Sequence, residues 1–318
     1  MPKQKQKVEQ SPAETHIPVM VQEVLSYLSP QKGEKYLDLT AGYGGHAATV
    51  IGSVDKLAEV TLVDRDAQAV RALTDRFSGE QVQIMHSDFA SASQKLGEAG
   101  KSYDMILADL GASSLHLDEP GRGFSFLRSG PLDMRMDQRQ AVTADYFVNQ
   151  ANQEELERIL VVFGEEPRAK TIADRIIKAR PVSSTEELAK IIENAVGRRF
   201  GRKKIHPATR SFQALRIAVN QELHQLELSL PIWHKLLAPG GRLVVISFQS
   251  LEDRIVKRYL AENAGDRYDT DLRLLTRKPV TASHDEIVLN PRARSAKLRA
   301  AAKIKTKRKD KKEKLNAN

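Results

Sequence analysis

The sequence contains no cysteine, a single tryptophan and no long apolar run. Without cysteine the protein has no disulfide bond, no thiolate nucleophile and no cysteine-ligated zinc, and this composition fits a reducing cytoplasm. No stretch approaches the ~20 apolar residues that span a bilayer, and residues 1–14 lack the apolar core of a signal peptide. We therefore expect a cytoplasmic protein without a membrane segment and with a disordered lead-in over residues 1–14.

Positive charge is abundant, and it is concentrated at one end of the chain. Twelve of the 50 Lys and Arg residues lie between residues 292 and 318, where only Asp310 and Glu313 oppose them. Because the rest of the chain is then nearly neutral, this end predicts a polyanionic partner, most simply nucleic acid. The alternative is a solubilising segment that binds nothing. Since it has few apolar residues, the segment 300–318 is predicted to be a disordered basic tail.

Strand-like and helix-like patterns alternate in the first part of the chain and again near its end. Helical patterns such as "DAQAVRALTDRF" separate the first strands, which indicates βαβ units and a parallel sheet. Later come the strand "RLVVISF", the helix "SLEDRIVKRYL" and two further strand candidates, "DLRLLTRKP" and "EIVLN". The strand-like segments of the first part are residues 36–40, 59–64, 81–88 and 103–110.

The middle of the chain, residues 133–219, shows helical periodicity only. Segments such as "STEELAKIIENAV" carry apolar residues at helical spacing, and Ser184 stands where an N-cap residue belongs. One helix is predicted to run through "SFQALRIAVNQELHQLE". We predict an α/β fold with a Rossmann-like sheet in a discontinuous domain, residues 15–132 and 220–299, and an inserted all-helical domain, residues 133–219.

The stretch "YLDLTAGYGGHAATV" places a glycine turn between the first strand and a helix. Gly42, Gly44 and Ala47 satisfy the dinucleotide pattern G-x-G-x-x-G/A, and Asp64 ends the second strand 22 residues after Gly42. This pattern permits a nicotinamide dinucleotide. It equally permits S-adenosylmethionine, whose ribose hydroxyls need the same acid. A nicotinamide oxidoreductase therefore remains an alternative.

Two acids at the expected ligand crevice bear on this choice of cofactor. S-adenosylmethionine carries an ammonium and a sulfonium instead of a pyrophosphate, and these cations favour nearby carboxylates. Asp38 and Asp109 lie near the ends of the first and fourth predicted strands, where a doubly wound sheet binds its ligand. The two acids favour S-adenosylmethionine, although a turn-capping role explains Asp38 equally well.

The loop "DLGASSLHLDEPGRGFSF" after the fourth strand is rich in glycine, serine and phenylalanine. Glycine-rich loops at strand ends are where such sheets carry out chemistry. Methyl transfer to an exocyclic amine needs an acceptor for the amine hydrogens, and the Asp109 carboxylate or a neighbouring backbone carbonyl supplies one. Phe124 and Phe126 either stack a base or belong to the core beneath the loop.

A resemblance to a known family extends over most of the chain. It rests on long blocks in family order: "HIPVM" at His16, "GGH" at Gly44, "DLGASS" at Asp109, "RGFSF" at Arg122, "GPLDMRMD" at Gly130, "HPATRSFQALRIAVNQEL" at His206, "SLEDRIVK" at Ser250 and "NPRARSAKLR" at Asn290. From about Thr15 to Ala300 the chain resembles the bacterial small-subunit ribosomal RNA cytosine-N4 methyltransferases, the RsmH or MraW family. The resemblance implies S-adenosylmethionine-dependent methylation of N4 of a cytidine in the decoding centre of 16S rRNA.

The same resemblance implies which residues contact the cofactor. Asp64 has the strongest physical support, because an acid at that strand end suits a ribose diol. A histidine that opens a helix often meets solvent, and Phe89 suits a core as well as an adenine face. Asp109 is also the expected catalytic residue. The implied cofactor contacts are Gly44, Gly45, His46, Asp64, Phe89, Asp109 and His116.

The chain departs from the family at two places near this site. "SSLHLD" stands where the family usually has "SSPQLD", so Leu115 and His116 replace a proline and a glutamine. An imidazole still donates or accepts one hydrogen bond in place of the amide. Gln249 in "SFQSLEDR" replaces a usual histidine, and we therefore assign no general base there.

Candidate RNA contacts lie at the end of the helical insertion. The stretch "GRRFGRKKIHPATR" interleaves cations with Phe200, which suits phosphates and a stacked base, and the alternative is a solvated loop. In the following helix a polar stripe shares one face, which either lines a cleft or makes internal hydrogen bonds. The cations are Arg198, Arg199, Arg202, Lys203, Lys204 and Arg210, and the stripe is Arg210, Gln213, Arg216 and Asn220.

These features together predict the reaction and its partner. We expect direct in-line methyl transfer, without a metal or a covalent enzyme intermediate, to a cytosine that is single-stranded or flipped out. The expected partner is 16S rRNA, free or in the small ribosomal subunit, bound by a monomer or a homodimer. A non-catalytic RNA-binding assembly factor that has kept the fold is the second alternative.

Overall fold

The computed structural model describes residues 18–113, 117–197, 206–265 and 270–304, which form two compact units. The sheet unit comprises residues 18–64, 69–110, 226–265 and 270–304. The helical unit comprises residues 65–68, 111–113, 117–197 and 206–225. Within these described ranges, no helix has both the length and the apolar character of a membrane span.

The strands of the sheet unit form a single sheet. They are β1 (Lys35–Asp38), β2 (Glu59–Asp64), β3 (Val82–His86), β4 (Tyr103–Asp109), β5 (Leu237–Ser247), β6 (Leu272–Leu274) and β7 (Lys297–Lys303). Their order is β3-β2-β1-β4-β5-β7-β6. Strands β1 to β5 pair in parallel, whereas β7 is antiparallel to both β5 and β6. This arrangement confirms the predicted Rossmann-like α/β fold.

The alternation of side chains along the strands builds one core on each face of the sheet. In β1, Tyr36 packs into one core and Leu37 into the other, and in β4 Met105 and Ile106 separate in the same way. The helices lie on both faces, so neither face of the central strands meets water. This burial on two sides explains why the strands read as continuous apolar runs.

The α-helices of the described residues are α1 (Val21–Leu28), α2 (Gly45–Gly52), α3 (Ala67–Arg76), α4 (Phe89–Glu98), α5 (Gln153–Gly164), α6 (Ala169–Lys178), α7 (Thr185–Val196), α8 (Thr209–Asn220), α9 (Glu222–Leu236), α10 (Ser250–Glu262) and α11 (His284–Leu289). Helices α1, α2, α3 and α11 contribute to the core that contains Tyr36, and α4, α9 and α10 contribute to the opposite core. Helices α5 to α8 belong to the helical unit.

The strand predicted at "EIVLN" is wrong, because this segment belongs to α11. The hydroxyl of Ser283 accepts a hydrogen bond of 3.1 Å from the backbone N–H of Glu286 and so caps the helix. Val288 and Leu289 are 66% and 77% exposed, and of the three apolar residues only Ile287 packs against the core. The Ser-x-x-Glu start signal outweighs a short apolar run. The neighbouring candidate "DLRLLTRKP" is a strand only over β6.

The prediction of disorder from residue 300 onwards is also wrong over the first residues of that segment. Ala300 and Ala302 lie in β7, opposite Val244 and Arg242 of β5, and both alanines are buried. The basic composition of the whole segment concealed a short alanine run, whose small side chains pack beneath covering helices. Residues 305–318 lie outside the described residues.

The helical unit surrounds its own core. Its described residues contain no strand, as the helical periodicity predicts, and Ser184 caps α7 by accepting a hydrogen bond from the N–H of Glu187. Its longest segment begins at Gly111, whereas the predicted insertion begins at residue 133. The reason is that Phe124 and Leu132, from the loop after β4, are buried in its core.

The polar stripe predicted on one helix makes internal hydrogen bonds. Asn220 accepts from the backbone N–H of Met136 and donates to the carbonyl of Met134, both over 2.8 Å. Arg216 forms two hydrogen bonds of 2.8 Å with Glu222. Asn220 also ends α8, because the next residue has a left-handed backbone, so the single predicted helix is divided into α8 and α9.

Candidate active site

The candidate site lies where the strand order of the sheet reverses direction. From β1 the chain passes through α2 to β2 on one side, and β4 pairs with the other side of β1. In such sheets, ligands bind beyond the carboxyl ends of the strands at this switch point. The ends of β1, β2 and β4 carry Asp38, Asp64 and Asp109, so the fold brings the three predicted acids to one edge.

The glycine turn after β1 is held by backbone hydrogen bonds and by crowding. Gly44 has a left-handed φ of 80°, and a Cβ there would come within 2.8 Å of the Phe77 ring. A Cβ on Gly45 would come within 2.4 Å of Cγ of Pro18. Both positions therefore exclude a side chain, because the packing around the turn leaves no room for one.

Asp64 is the acid expected to hold the ribose. Its Oδ2 accepts a hydrogen bond of 2.8 Å from the backbone N–H of Gly42, so this carboxylate fixes the turn after β1 as well as ending β2. An acid in this place, beside a turn without side chains, has the position that a ribose diol requires. Its contact with the ribose stays a prediction.

Asp38 is buried beneath the turn and makes the capping contact that was one of its two expected roles. It accepts hydrogen bonds from the Thr40 backbone N–H at 3.1 Å and from the Tyr36 hydroxyl at 2.9 Å. Burial raises the pKa of this carboxyl to about 6, against the opposing effects of nearby His46 and of these hydrogen bonds. Asp38 therefore adds negative charge from below the turn.

His46 does not meet solvent, which was the alternative to the predicted cofactor contact. It is 7% exposed, and its Nε2 lies 3.6 Å from Oδ2 of Asp109. Burial by itself lowers the pKa of His46, but the effects of Asp109, Asp38 and Glu286 outweigh it and leave the pKa raised. The imidazole therefore lies between acids from three elements, β1, β4 and α11.

Asp109 is held by its backbone and remains partly accessible. Its backbone N–H donates a hydrogen bond of 2.6 Å to Oγ1 of Thr40, which links the ends of β1 and β4. The side chain is 21% exposed. Its Oδ1 has no hydrogen-bond partner among the described residues. This oxygen is itself buried, so the exposed surface of the side chain belongs to its other atoms.

The remaining predicted contacts are placed as follows. Phe89 is the first residue of α4, and its ring meets Trp233 edge-on at a centroid distance of 5.6 Å. It is half-buried, so it packs on the core and keeps part of its surface exposed. His116 lies outside the described residues. Gln249 caps α10 in a capping box with Glu252, which is a structural role for this departure from the family.

Sequence reasoning missed the residues that support the site. Thr40 bonds to both acids of the crevice, Tyr36 holds Asp38 from within β1, and Glu286 approaches from α11. The contact of Thr40 with Asp38 had a signal, because an aspartate in a turn commonly accepts a hydrogen bond from the backbone two residues later. Glu286 offered none, since it is distant in sequence and its segment was predicted to be a strand.

A Rossmann-like sheet with a glycine turn and acids at its switch point defines a cofactor-binding α/β enzyme. Residues 13–304 match the MraW methylase family, and the chain belongs to this family. Curated relatives match this chain over nearly its whole length and over nearly their own. The ribosomal RNA small subunit methyltransferase H of Acidobacterium capsulatum is 46% identical over 298 residues, which are 91% of this chain and 99% of that protein. The protein of the same name from a Cyanothece species is 48% identical over 299 residues, covering 93% and 97%.

Solved structures show a much weaker likeness. A SAM-dependent O-methyltransferase from Thermotoga maritima is similar at a TM-score of 0.41 and 9% identity, over 92% of this chain and 69% of that one. A likeness at this level carries no argument about the site. The family makes the protein a S-adenosylmethionine-dependent methyltransferase, as the sequence predicted, and this excludes the nicotinamide oxidoreductase.

Proposed function

We propose that this methyltransferase acts on small-subunit ribosomal RNA and methylates the exocyclic N4 amine of a cytidine in the decoding centre of 16S rRNA. The relatives named ribosomal RNA small subunit methyltransferase H support small-subunit ribosomal RNA as the substrate, because they match this chain over 91–93% of its length. The partly exposed carboxylate of Asp109, at the carboxyl end of β4, supports an exocyclic amine as the acceptor. The position and partial exposure of this carboxylate are the observation that carries the proposed chemistry.

The residues present fit S-adenosylmethionine. Gly44 and Gly45 leave a side-chain-free turn, and the carboxylates of Asp38 and Asp109 supply negative charge for a cationic ligand. When bound, the cofactor supplies a methyl group activated by its sulfonium. We assign the ribose to Asp64 and the adenine to Phe89. The proposed cofactor contacts are Gly44, Gly45, His46, Asp64, Phe89, Asp109 and His116.

Asp109 is proposed to orient the acceptor amine. The lone pair of a cytosine N4 amine is delocalised into the ring, so it must turn out of the ring plane before it attacks a methyl group. A carboxylate that accepts the amine hydrogens favours this rotation and fixes the direction of attack. The partial exposure of Asp109 leaves it accessible to such an amine. Catalysis then comes mainly from positioning.

We propose that RNA binding involves the helical unit and the basic end of the chain. The cations of "GRRFGRKKIHPATR" are the strongest candidates in sequence. Most of them, residues 198–205, lie outside the described residues. Arg210 is described, and it donates a hydrogen bond to the carbonyl of Glu165 while the residue remains exposed. Phe126 stacks on His206 at 4.4 Å and contacts Phe212, so we assign it to the helical core rather than to a base.

The experiment is mass spectrometry of 16S rRNA from cells with and without this protein. We expect N4-methylcytidine at one position to disappear in the deletion and to return with the wild-type chain. The Asp109→Asn variant should bind RNA normally and fail to restore the modification, because an amide accepts the amine hydrogens less well. An unchanged N4-methylcytidine level in the deletion contradicts the proposed acceptor. Restoration by Asp109→Asn removes the assigned role of this carboxylate.

A further inference from the structure

His46 is a buried imidazole in an acidic environment. It lies in the first turn of α2, 7% exposed, and its Nε2 is 3.6 Å from Asp109. Asp38 from β1 and Glu286 from α11 add negative charge around it. Neither ring nitrogen has a hydrogen-bond partner within the described part of the chain. A histidine without hydrogen bonds in such a place needs a reason beyond packing.

Within the described residues, no other cationic side chain pairs with the acids around His46. In the described residues, Asp38 is paired with the Tyr36 hydroxyl and a backbone amide, and Asp109 has only the His46 ion pair. The pKa of His46 is raised, mainly because the acids Asp109, Asp38 and Glu286 outweigh the effect of burial. These acids therefore favour the protonated form of the imidazole. The start of a helix opposes this proton, since its dipole places positive charge there.

We propose that His46 exchanges its proton for the positive charge of the cofactor: it releases a proton when S-adenosylmethionine binds and takes one back when the methyl group is transferred. The inference rests on the proposed cofactor site. Two positive charges within one acidic, water-poor crevice repel each other more strongly than in water. The imidazole can lose its charge, and the sulfonium cannot.

The exchange keeps the charge of the crevice constant through the reaction. The lone pair of the amine nitrogen forms the new nitrogen–carbon bond, while the electron pair of the broken carbon–sulfur bond remains on sulfur. The amine nitrogen then loses one proton to the Asp109 carboxylate. His46 Nε2, 3.6 Å from that carboxylate, receives it. One positive charge is present before the transfer and one after it, so no net charge is created in a region of low dielectric.

The test is calorimetric titration of the full chain with S-adenosylmethionine and with S-adenosylhomocysteine, in buffers of different ionisation enthalpy. The titration is carried out at about pH 7.5. Because the pKa of Asp38 is about 6, that acid is already ionised at this pH and does not contribute a proton. We expect wild type to release more protons per S-adenosylmethionine than His46→Gln does. With S-adenosylhomocysteine the two proteins should not differ. The amino group of each ligand also titrates, but it contributes equally to wild type and variant.

His234→Gln is the matched control. His234 is another partly buried histidine beside an acid, with its Nε2 2.5 Å from Asp271. It lies in α9, directly before β5, and therefore not at the carboxyl end of a strand, where the cofactor site is proposed. This variant should release the same number of protons as wild type. A second measurement needs no variant. The imidazole of His46, followed by NMR, should titrate at lower pH in the S-adenosylmethionine complex than in the S-adenosylhomocysteine complex.

The outcomes separate this inference from the function on which it rests. Equal proton release by wild type and His46→Gln, or equal His46 titration in both complexes, overturns the proton exchange while the cofactor site stands. Failure of wild type to bind S-adenosylmethionine overturns both. If His46→Gln does not fold, the NMR titration of wild type alone decides.

Discussion

The carboxylate of Asp64 accepts a hydrogen bond of 2.8 Å from the backbone N–H of Gly42. The acid at the end of β2 therefore shapes the turn that follows the neighbouring β1. The two residues are 22 positions apart, and the parallel pairing of β1 with β2 brings them together. A change at Asp64 consequently affects the cofactor in two ways, through a lost ligand contact and through the turn itself.

The Asp64→Asn substitution separates these two effects. The amide oxygen still accepts the Gly42 hydrogen bond, but the charge that would hold the ribose hydroxyls is lost. We expect S-adenosylmethionine affinity to fall by about 1.5–3 kcal/mol in a calorimetric titration, with little change in thermal stability. Asp75→Asn, at an exposed site on α3, is the control. Unchanged affinity in Asp64→Asn means that the ribose is bound elsewhere.

Two glycines of α2 offer a matched pair for the crowding at the turn. A Cβ at Gly45 comes within 2.4 Å of Pro18, whereas a Cβ at Gly52 meets nothing within 4 Å. Gly45→Ala should therefore destabilise the fold by about 1–3 kcal/mol. Gly52→Ala should be neutral or stabilising by up to about 1 kcal/mol, because alanine loses less backbone entropy in a helix. Denaturant unfolding measures both, and equal effects would show that Pro18 moves aside freely.

The buried Asp38 predicts a particular dependence of stability on pH. Burial raises its pKa from 3.8 to about 6, so between these values the folded protein binds more protons than the unfolded chain. Stability therefore falls as pH rises through this interval, and the full penalty, about 3 kcal/mol, is present at neutral pH. Relative to Asp38→Asn, wild type should lose this much free energy of unfolding between about pH 4 and pH 7.

Asp55→Asn is the control for the Asp38 measurement, because it removes one carboxylate from an exposed position. The quantity compared is the difference in free energy of unfolding between wild type and variant at each pH. The contributions of the unchanged acids cancel in this difference. A constant difference between wild type and Asp38→Asn across this range would show that Asp38 ionises in the folded protein as it does in the unfolded chain.

The final segment, residues 305–318, tests the role of the basic end. Truncation after Arg299 would remove part of β7, so the chain should end after Ile304. The removed segment carries seven Lys and Arg residues against two acids. We expect weaker RNA binding and a log affinity versus log salt slope that is flatter by about 3 to 5, since each phosphate contact contributes about 0.7–0.9. Cofactor affinity should not change.

A full-length variant with Gln at Lys307, Arg308 and Lys309 separates charge from length. It should flatten the salt slope by about 2 to 3 for the same reason. If truncation leaves the slope at its full-length value, the segment has no part in RNA binding.

The fold class followed from local pattern alone. The apolar runs of β1, β2 and β4, the glycine turn and the helical periods between them are short-range features, and hydrophobic periodicity reports such features directly. The acids at the strand ends were predictable for the same reason, because the carboxyl ends of parallel strands meet at one edge of a sheet. The sequence blocks that resemble the methyltransferase family then indicated the cofactor.

The sequence alone determined the Rossmann-like sheet, the helical insertion, the cofactor and the positions of Asp64 and Asp109. Only the tertiary structure decided that His46 is buried, that Glu286 approaches it from α11 and that Ala300 belongs to a strand. Each of these depends on contacts between segments far apart in the chain, such as the hydrogen bond from the Met20 N–H to Glu286. Local propensity carries no information about such contacts, because burial and the pKa of a side chain are set by the elements that the fold packs around it.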